Sequence, residues 1–266
     1  MGAVALTARH PVLLDVPPEA RSVAEQWSAL TAPTPDPAPF DPASTDALPA
    51  PVARWLRHAI DPGTPLTRTV VLSMHGHIRL GAWRPFRARQ VLAAESGFIW
   101  SASARFGPLA VQGFDRSVAG QGEMRWRLLG VVPVMSADGP HVTRSAAGRL
   151  AIETMMTPTA ALAPSVRWRA VDHERARARA DVGGFTHHIE VRVDEDGRLV
   201  SATMPRWGNP LGEPYGTYPF GVRFTGERRS DGVAMAERLE AGWFPESPRW
   251  ADGAFFRATL DDALHL

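Results

Sequence analysis

Residues 97–106 read GFIWSASARF, and their side chains alternate in character along the segment. A period of two residues is that of a β-strand, in which successive side chains point to opposite faces of a sheet. The alternation predicts a half-buried antiparallel strand. Its apolar face consists of Phe98, Trp100, Ala102 and Ala104, and its other face of Ile99, Ser101, Ser103 and Arg105.

Segments of the same kind follow one another on both sides of this strand. They are short, rich in β-branched and aromatic residues, and separated by Gly and Pro. In RARARAD, residues 175–181, every Arg falls on one face, and DEDG at 194–197 and RSDG at 229–232 indicate hairpin turns. The pattern predicts a mainly β (α+β) fold: a large curved antiparallel sheet or partly open β-barrel with a few helices.

Three segments have the apolar spacing of three to four residues that is typical of a helix. These are residues 18–30, residues 51–60, which begin with a proline that suits the first helical position, and AAGRLAIETMM. The third helix is predicted to follow Ser145 as its N-cap and to end before Pro158.

A proline-rich stretch separates the first two helices. Residues 31–50 hold six prolines, a density that prevents both helix and sheet. We therefore divide the chain into an N-terminal helix and Pro-rich arm (1–47) and a single β-rich ligand-binding domain (48–266). The N-terminal helix either packs on the main body, which is the favoured interpretation, or serves a partner.

The composition excludes several kinds of chemistry. The 266 residues include no Cys, and all 29 basic residues are Arg. This excludes disulfides, thiolate nucleophiles, Cys-ligated metal sites, Schiff bases and a Walker lysine. Dinucleotide fingerprints and the hydrolase nucleophile elbow are also absent, so no cofactor is expected. The formal charge of +1 gives no attraction to nucleic acid.

The N-terminus and the apolar runs bear on location. Residues 1–20 lack a positively charged start followed by an apolar core, which makes them a poor secretory signal. No uninterrupted apolar stretch approaches about 18 residues, so no membrane span is expected. We expect a cytoplasmic protein with a small-molecule partner, and the sequence is compatible with a homodimer.

Many separate stretches, in order from about Leu48 to Leu260, match one family pattern. They include LPAPVARWLRHAI, MHGHIRLGAWRPFRARQVL, GFDRSVAGQGEMRWRLLGVVPV, RSAAGRLAIE, RWGNP and RWADGAFFR. In them the chain resembles a bacterial family of uncharacterised proteins, domain of unknown function 6544. The resemblance implies no activity, and its helix-plus-curved-sheet pattern is similar to lipoprotein-carrier and ligand-binding β folds. In that family the position of His77 is often acidic, so a site built on His75 and His77 together is not shared by the family.

Two carboxylates are the leading catalytic candidates. Glu153 lies on the otherwise apolar stripe of the third helix. It is either paired with an Arg from the sheet or raised in pKa enough to act as a general acid or base. Asp115 follows a strand and precedes a Gly-rich turn, where it would move a proton if that part of the sheet lines a cavity.

Two basic residues, Arg125 and Arg127, share one face of a strand with Glu123. If this face lines a cavity, the two Arg side chains would bind a carboxylate or an enolate. If the face is in contact with water, it is a solvated surface with cross-strand ion pairs, and this interpretation is favoured for any single residue.

Two histidines, His75 and His77, lie on the same face of a strand, a spacing that suits two ligands of one metal. His187, His188 and Glu190 would offer a third ligand. The favoured alternative is that both strand histidines face solvent or form hydrogen bonds, and no metal is expected. The pair remains a candidate for acid–base catalysis.

Aromatic residues supply the remaining binding candidates. The segments RWGNP and YGTYPF offer Trp207 and Tyr218 to stack on a ligand and Asn209 to donate a hydrogen bond. The alternative is a rigid loop whose rings plug the end of the sheet. Trp100, on the apolar face of its strand, would line a cavity.

These residues predict a cavity in the curved sheet that binds a hydrophobic or aromatic small molecule. The first hypothesis is a cofactor-independent acid–base enzyme of the isomerase, cyclase or hydration type. The alternative is a non-catalytic carrier or sensor of a lipid-like ligand. A third hypothesis, a β-surface that binds another protein through the Pro-rich arm, predicts no enclosed cavity. A carboxylate beside an Arg inside the cavity favours the enzyme, and an all-apolar cavity favours the carrier.

Overall fold

The computed structural model of the chain describes residues 11–266. Residues 1–10, on which the expectation of a poor secretory signal mainly rests, lie outside this range. The helices are α1 (Pro11–Leu14), α2 (Ala24–Leu30), α3 (Ala50–Ala59), α4 (Pro140–Thr154) and α5 (Trp250–Gly253). The strands are β1 (Thr69–Leu80), β2 (Ala82–Ala93), β3 (Gly97–Phe106), β4 (Leu109–Val118), β5 (Gln121–Leu128), β6 (Val132–Ala137), β7 (Val166–Ala170), β8 (Arg175–Val182), β9 (Phe185–Val193), β10 (Leu199–Gly208), β11 (Gly216–Ser230), β12 (Val233–Trp243) and β13 (Ala254–His265).

The strands of the described chain form one antiparallel sheet of 13 strands, in the order β6-β5-β4-β3-β2-β1-β13-β12-β11-β10-β9-β8-β7. Two meanders meet where β1 pairs with β13. The sheet curves into a half-barrel, which confirms the predicted curved antiparallel sheet with a few helices. Because β6 and β7 are the opposite edges, the chain between them has to cross the sheet, and α4 lies on this crossing.

The main core lies on the concave face of the sheet, under α3 and α4. The inward side chains of α3, among them Val52 and Leu56, are fully buried there, and Trp55 packs edge-on against Trp168 of β7 with ring centroids 6.2 Å apart. In β8 the Ala side chains are buried on this face and the Arg side chains are exposed on the other, as the alternation predicted.

A second, smaller core lies on the convex face. Here α1 and α2 pack over the middle of the sheet, and Trp27 is buried together with Val71, Val91 and Ile99. The prediction that β3 is only half-buried is therefore wrong for its first half. Ile99 and Ser101, on the supposed solvent side, are 0% and 2% exposed, because the N-terminal segment covers them.

Two predicted helices differ from the structure. Residues 18–30 form a 3-10 turn (Pro18–Val23) followed by α2, because the backbone of Val23 leaves the helical region. Helix α4 begins at Pro140, so the prediction that Ser145 caps it is wrong. Its first turn is exposed or half-buried and carries no apolar stripe. Since an apolar stripe is the pattern that predicts a helix, the sequence did not indicate this start. No helix within residues 11–266 is both long and apolar enough to cross a membrane.

A buried histidine near the C-terminus makes stability depend on pH. Burial lowers the pKa of His265 to about 4, and the nearby charge of Asp231 opposes this only weakly. The unfolded chain takes up a proton near the ordinary pKa of about 6.5. The contribution of neutral His265 to the free energy of unfolding is therefore fully present above pH 6.5 and is lost as the pH falls from about 6.5 toward 4.

We expect the wild type to lose about 2 kcal/mol more unfolding free energy between pH 7 and pH 5 than His265→Leu, which cannot titrate. Urea unfolding at the two pH values measures the difference. Equal losses in the two proteins would show that His265 is not held neutral by burial.

Candidate functional site

A cavity of about 430 Å³ lies between the concave face of the sheet and α4. Strands from both meanders contribute to its walls. The apolar lining consists of Leu72, Met74, Ile78, Leu92, Phe98, Trp100, Met124, Ile152, Met156, Phe220, Val222, Leu239, Trp243, Phe255 and Phe256. This volume and lining are typical of pockets that bury small organic molecules. The hypothesis of a protein-binding surface predicts no enclosed cavity, so a cavity of this size does not favour it.

A cluster of charged side chains is set into this apolar wall, with Arg149 of α4 at its centre. The Arg149 guanidinium donates to Glu153 at 2.7 Å, one helical turn further on, and to Asp115 of β4 at 3.1 Å. It also lies over the ring of Phe98, 4.5 Å from the centroid. All three charged side chains are 17–18% exposed, and since they line the cavity, that exposure is to the cavity.

Both carboxylates have a further neutral donor. The indole Nε1 of Trp126 donates to Asp115 Oδ1 at 2.9 Å, and Gln90 Nε2 donates to Glu153 Oε2 at 2.6 Å. Each of the four carboxylate oxygens therefore accepts a hydrogen bond. Such saturation is what a buried ion-pair network needs in order to offset the loss of water.

Burial raises the pKa of Asp115, and this effect exceeds the opposing effects of the Arg149 charge and the Trp126 hydrogen bond. The nearby negative charge of Glu153 acts in the same direction as burial. Burial by itself would lower the pKa of Arg149, but its two ion pairs raise it. The site thus combines a permanent cation with one carboxyl group that is easier to protonate than an ordinary aspartate.

A second cation, Arg206 of β10, also lines the cavity. It lies over the ring of Phe220 at 4.5 Å and near that of Trp243 at 5.4 Å. Its only hydrogen bonds in the described chain are long, 3.3–3.4 Å, and go to the carbonyl and hydroxyl oxygens of Ser145. A β-carbon at position 148 of α4 would lie 3.1 Å from the Arg206 side chain, so Gly148 leaves room for it.

The indole of Trp100 forms the floor of the cavity beside the charged cluster. Its ring packs against Trp126 and Phe256, with centroids 5.7 and 5.8 Å away. Its Nε1 is buried and has no hydrogen-bond partner within residues 11–266. Because this nitrogen is buried, Trp100 contributes its ring to the cavity wall and not a free donor.

Some of the residues selected from the sequence meet at this cavity. Asp115, Glu153 and Trp100 lie together around Arg149, and Asn209 lines the cavity from the loop after β10. Glu153 is paired, as one alternative predicted, but its partner belongs to its own helix and not to the sheet.

The two histidines of β1 lie elsewhere, which corrects their assignment to the site. Met74 and Ile78 of the same strand line the cavity on the concave face. Since successive side chains of a strand point to opposite faces, His75 and His77 point to the convex face. His75 is half-exposed and pairs with Asp261 at 2.7 Å. In the described part of the chain, no three His, Asp or Glu side chains are grouped as a metal ion would require.

The two arginines of β5 are also on the convex side. Met124 lines the cavity and Trp126 bonds to Asp115 there, whereas Arg125 and Arg127 occupy the alternate positions and are exposed. Arg125 pairs with Glu123 and Asp138. Their assignment as ligand-binding groups in the cavity is therefore corrected, and the solvated-surface interpretation agrees with the structure for these two residues. Glu123, on the same face of the strand, is mostly shielded and borders the cavity.

The aromatic side chains of the loop do not line the cavity as predicted. The ring of Trp207 stacks on His141 of α4, 5.6 Å away, and the Arg144 guanidinium lies over the same ring at 4.1 Å. Tyr218 packs edge-on against Phe244 and donates to the carbonyl of Pro214. The ring that borders the cavity from this loop is that of Tyr215. Trp207 belongs to β10 and Tyr218 to β11, so neither the ligand-stacking loop nor the alternative, a rigid loop whose rings plug the end of the sheet, describes these two residues.

Three residues of the site were not selected from the sequence: Arg149, Arg206 and Gln90. The spacing of Arg149 and Glu153, one helical turn apart, is a signal that would have found the first. No sequence pattern indicates the other two, since each meets the site across a gap of about sixty residues in the chain.

The fold and the cavity define a class: a curved antiparallel sheet with a ligand-sized cavity between its concave face and one crossing helix. The chain belongs to a family of unknown function, DUF6544, whose profile matches residues 38–253. No curated protein matches the chain.

Three solved structures have a fold similar to that of this chain. One is described as an outer membrane lipoprotein-sorting protein domain from Vibrio parahaemolyticus, at 9% identity and a TM-score of 0.38 over 73% of this chain and 84% of that one. A LolA superfamily protein from Nitrosomonas europaea has 11% identity and a TM-score of 0.42, over 83% and 94%. A DUF1329 family protein from Desulfovibrio piger has 11% identity and a TM-score of 0.39, over 85% and 94%. At these values no ligand or activity carries over to this chain.

Proposed function

We propose that the protein binds a hydrophobic small molecule in the cavity under its curved sheet and acts as a carrier or sensor of that molecule. The observation that carries this proposal is the cavity of about 430 Å³ with its mainly apolar lining. Apolar surface left next to water is unfavourable, so an apolar molecule of matching size gains free energy by filling it.

The cavity has a rim through which a ligand can enter. Lining residues at one end are exposed to solvent, among them Leu80, His141, Asn209 and Tyr215. The deeper lining residues Leu72, Leu92 and Phe98 are at most 1% exposed. A ligand would therefore enter between the start of α4 and the loop after β10, and place its apolar part under α4.

The hydrogen bonding of the charged cluster favours binding over catalysis. The four oxygens of Asp115 and Glu153 already accept bonds from Arg149, Trp126 and Gln90. A general base has to reach the proton that it abstracts, and a carboxylate held on both oxygens by the protein is poorly placed to do so. The two carboxylates have a structural role, since they balance the charge of Arg149.

Acid–base catalysis without a cofactor, of the isomerase, cyclase or hydration type, is the second candidate function. Two observations favour it: carboxylates lie beside an Arg in the cavity wall, which is the feature expected of an enzyme, and burial raises the pKa of Asp115 there. Raised carboxyl pKa values next to a fixed positive charge are common at catalytic sites.

Binding of N-phenyl-1-naphthylamine, a neutral apolar dye that fluoresces on leaving water, tests the proposed function. We expect binding to the wild type and at least about tenfold weaker binding to Ala241→Phe and Ala146→Phe, which fill the cavity from opposite walls. Ala29→Phe, at an exposed position of α2 on the convex face, is the matched control. Equal binding to all four proteins would place the dye outside the cavity and contradict the proposal.

Native mass spectrometry of freshly purified protein then separates the two candidates. Any retained molecule is extracted, identified and incubated with the wild type, Asp115→Asn and Glu153→Gln. Recovery of the molecule unchanged from all three supports the carrier or sensor. Turnover by the wild type that is lost in Asp115→Asn supports the enzyme and overturns the carrier.

A further inference from the structure

The unusual group in the cavity is the guanidinium of Arg206. Its side chain crosses from β10 to α4, and its plane is held by the rings of Phe220 and Trp243. Its contacts to Ser145 are long, and they use only Nε and Nη2. The Nη1 donors have no partner within residues 11–266. Since Arg206 lines the cavity, these N–H groups are free to donate to a molecule bound there.

Charge pairing in the cavity is uneven. Arg149 takes both nearby carboxylates, Asp115 and Glu153, whereas no carboxylate of residues 11–266 contacts Arg206. Buried charges in proteins are normally paired, because an uncompensated ion loses its hydration without return. Asp115 and Glu153 are near enough for their charges to act on Arg206, but neither is at ion-pair distance from it, so the guanidinium has no direct anionic partner within residues 11–266.

We infer that the molecule bound in the cavity is an amphiphile with one anionic group, a carboxylate or a phosphate, that pairs with Arg206 while its apolar part lies under α4. This inference rests on the proposed function, which concerns the apolar part alone. The planar fork of a guanidinium matches both kinds of oxyanion in a two-point contact. The hydroxyl of Ser145, already beside Arg206, supplies a further donor at the same place.

The state of the surrounding groups agrees with this assignment. Burial and the charge of Arg149 lower the pKa of Arg206 to about 10, so it is still a cation at neutral pH. Two ring faces hold the side chain in place, which reduces the entropy lost when a ligand binds.

Displacement of N-phenyl-1-naphthylamine by molecules with the same tail tests the inference. The competitors are dodecanoate, dodecyl phosphate and dodecanol, each with the wild type, Arg206→Met and Arg206→Lys. Arg127→Met, which removes an exposed cation from the convex face, is the matched control. Circular dichroism and the urea midpoint show whether each variant folds. We expect Arg206→Met to be at least as stable as the wild type, because it removes an unpaired buried charge.

We expect the wild type to bind at least one of the two anions about tenfold or more tightly than dodecanol. Arg206→Met should lose about tenfold to hundredfold in its affinity for that anion relative to its affinity for dodecanol, and Arg206→Lys should retain part of the preference. The better competitor identifies the anion as carboxylate or phosphate. If dodecanol competes as well as both anions, or Arg206→Met keeps the anion preference, the inference is overturned and the proposed function stands. If neither the dye nor any competitor binds the wild type, the proposed function fails as well.

Discussion

Replacement of Arg149 by leucine is expected to destabilise the protein by about 3–5 kcal/mol, because it leaves two buried carboxylates without their cation. Asp115 and Glu153 lie 3.1 and 2.7 Å from the guanidinium and are largely shielded from water. Their remaining donors, Trp126 and Gln90, are neutral and cannot balance the charge. Urea unfolding at neutral pH measures the loss.

Two comparisons separate loss of the cation from loss of side-chain volume. The triple variant Arg149→Leu, Asp115→Asn, Glu153→Gln removes all three charges and is expected to recover much of the stability, since neutral groups of similar shape replace the ions. Arg179→Leu, which breaks an exposed pair with Asp181 on the convex face, should leave the urea midpoint unchanged. A triple variant no more stable than Arg149→Leu would show that packing, not charge, accounts for the effect.

The deficit of Arg149→Leu should also depend on pH. The pKa of Asp115 is already raised in the folded protein, and loss of the Arg149 charge, which lowers it, raises it further. A group with a raised folded pKa favours the folded state at low pH, and this contribution is lost as the pH rises through the folded pKa. The deficit should therefore be smaller at pH 5 than at pH 7.5.

Replacement of Trp27 by alanine is the second large expected effect, about 3–5 kcal/mol. The indole is 0% exposed in the smaller core on the convex face, and its Nε1 donates to the carbonyl of Leu14 at 3.1 Å. Its removal leaves a cavity over Val71 and Ile99 that the sheet cannot close. Release of residues 11–30 from the sheet should follow and should speed tryptic cleavage after Arg21.

Val12→Ala is the control for this prediction, since Val12 is in the same segment but 69% exposed. It should change neither the urea midpoint nor the rate of cleavage after Arg21. If Trp27→Ala behaves like Val12→Ala, the N-terminal segment does not contribute to the stability of the sheet.

The fold was predictable to a large extent because strands and helices leave local periodic signals. The alternation in Gly97–Phe106 and in Arg175–Val182 correctly predicted a strand at each place and which of its residues share a face. The prediction was wrong about the second face of β3, which is buried in its first half. A strand pattern cannot show that residues distant in sequence, such as Trp27, will cover its polar side.

The candidate site was predictable only in part, and the reason is geometric. Alternation shows which residues of a strand share a face, but not whether that face is concave or convex. Asp115 and Arg125 both lie on strands with a mixed pattern, yet the first faces the cavity and the second faces solvent. The same ambiguity explains the incorrect placement of His75 and His77.

The sequence by itself determined the antiparallel sheet, the absence of Cys and Lys chemistry, and the family. The pair of Arg149 and Glu153 is local to one helix, although the sequence prediction paired Glu153 with an Arg of the sheet. Only the tertiary structure decided which charges share the cavity. Its crossing helix brings Arg149 to Asp115 of β4 and Ser145 to Arg206 of β10, residues 34 and 61 positions apart. Such contacts depend on the curvature of the sheet and on the path of the chain between its two edges, and neither is encoded in a local pattern.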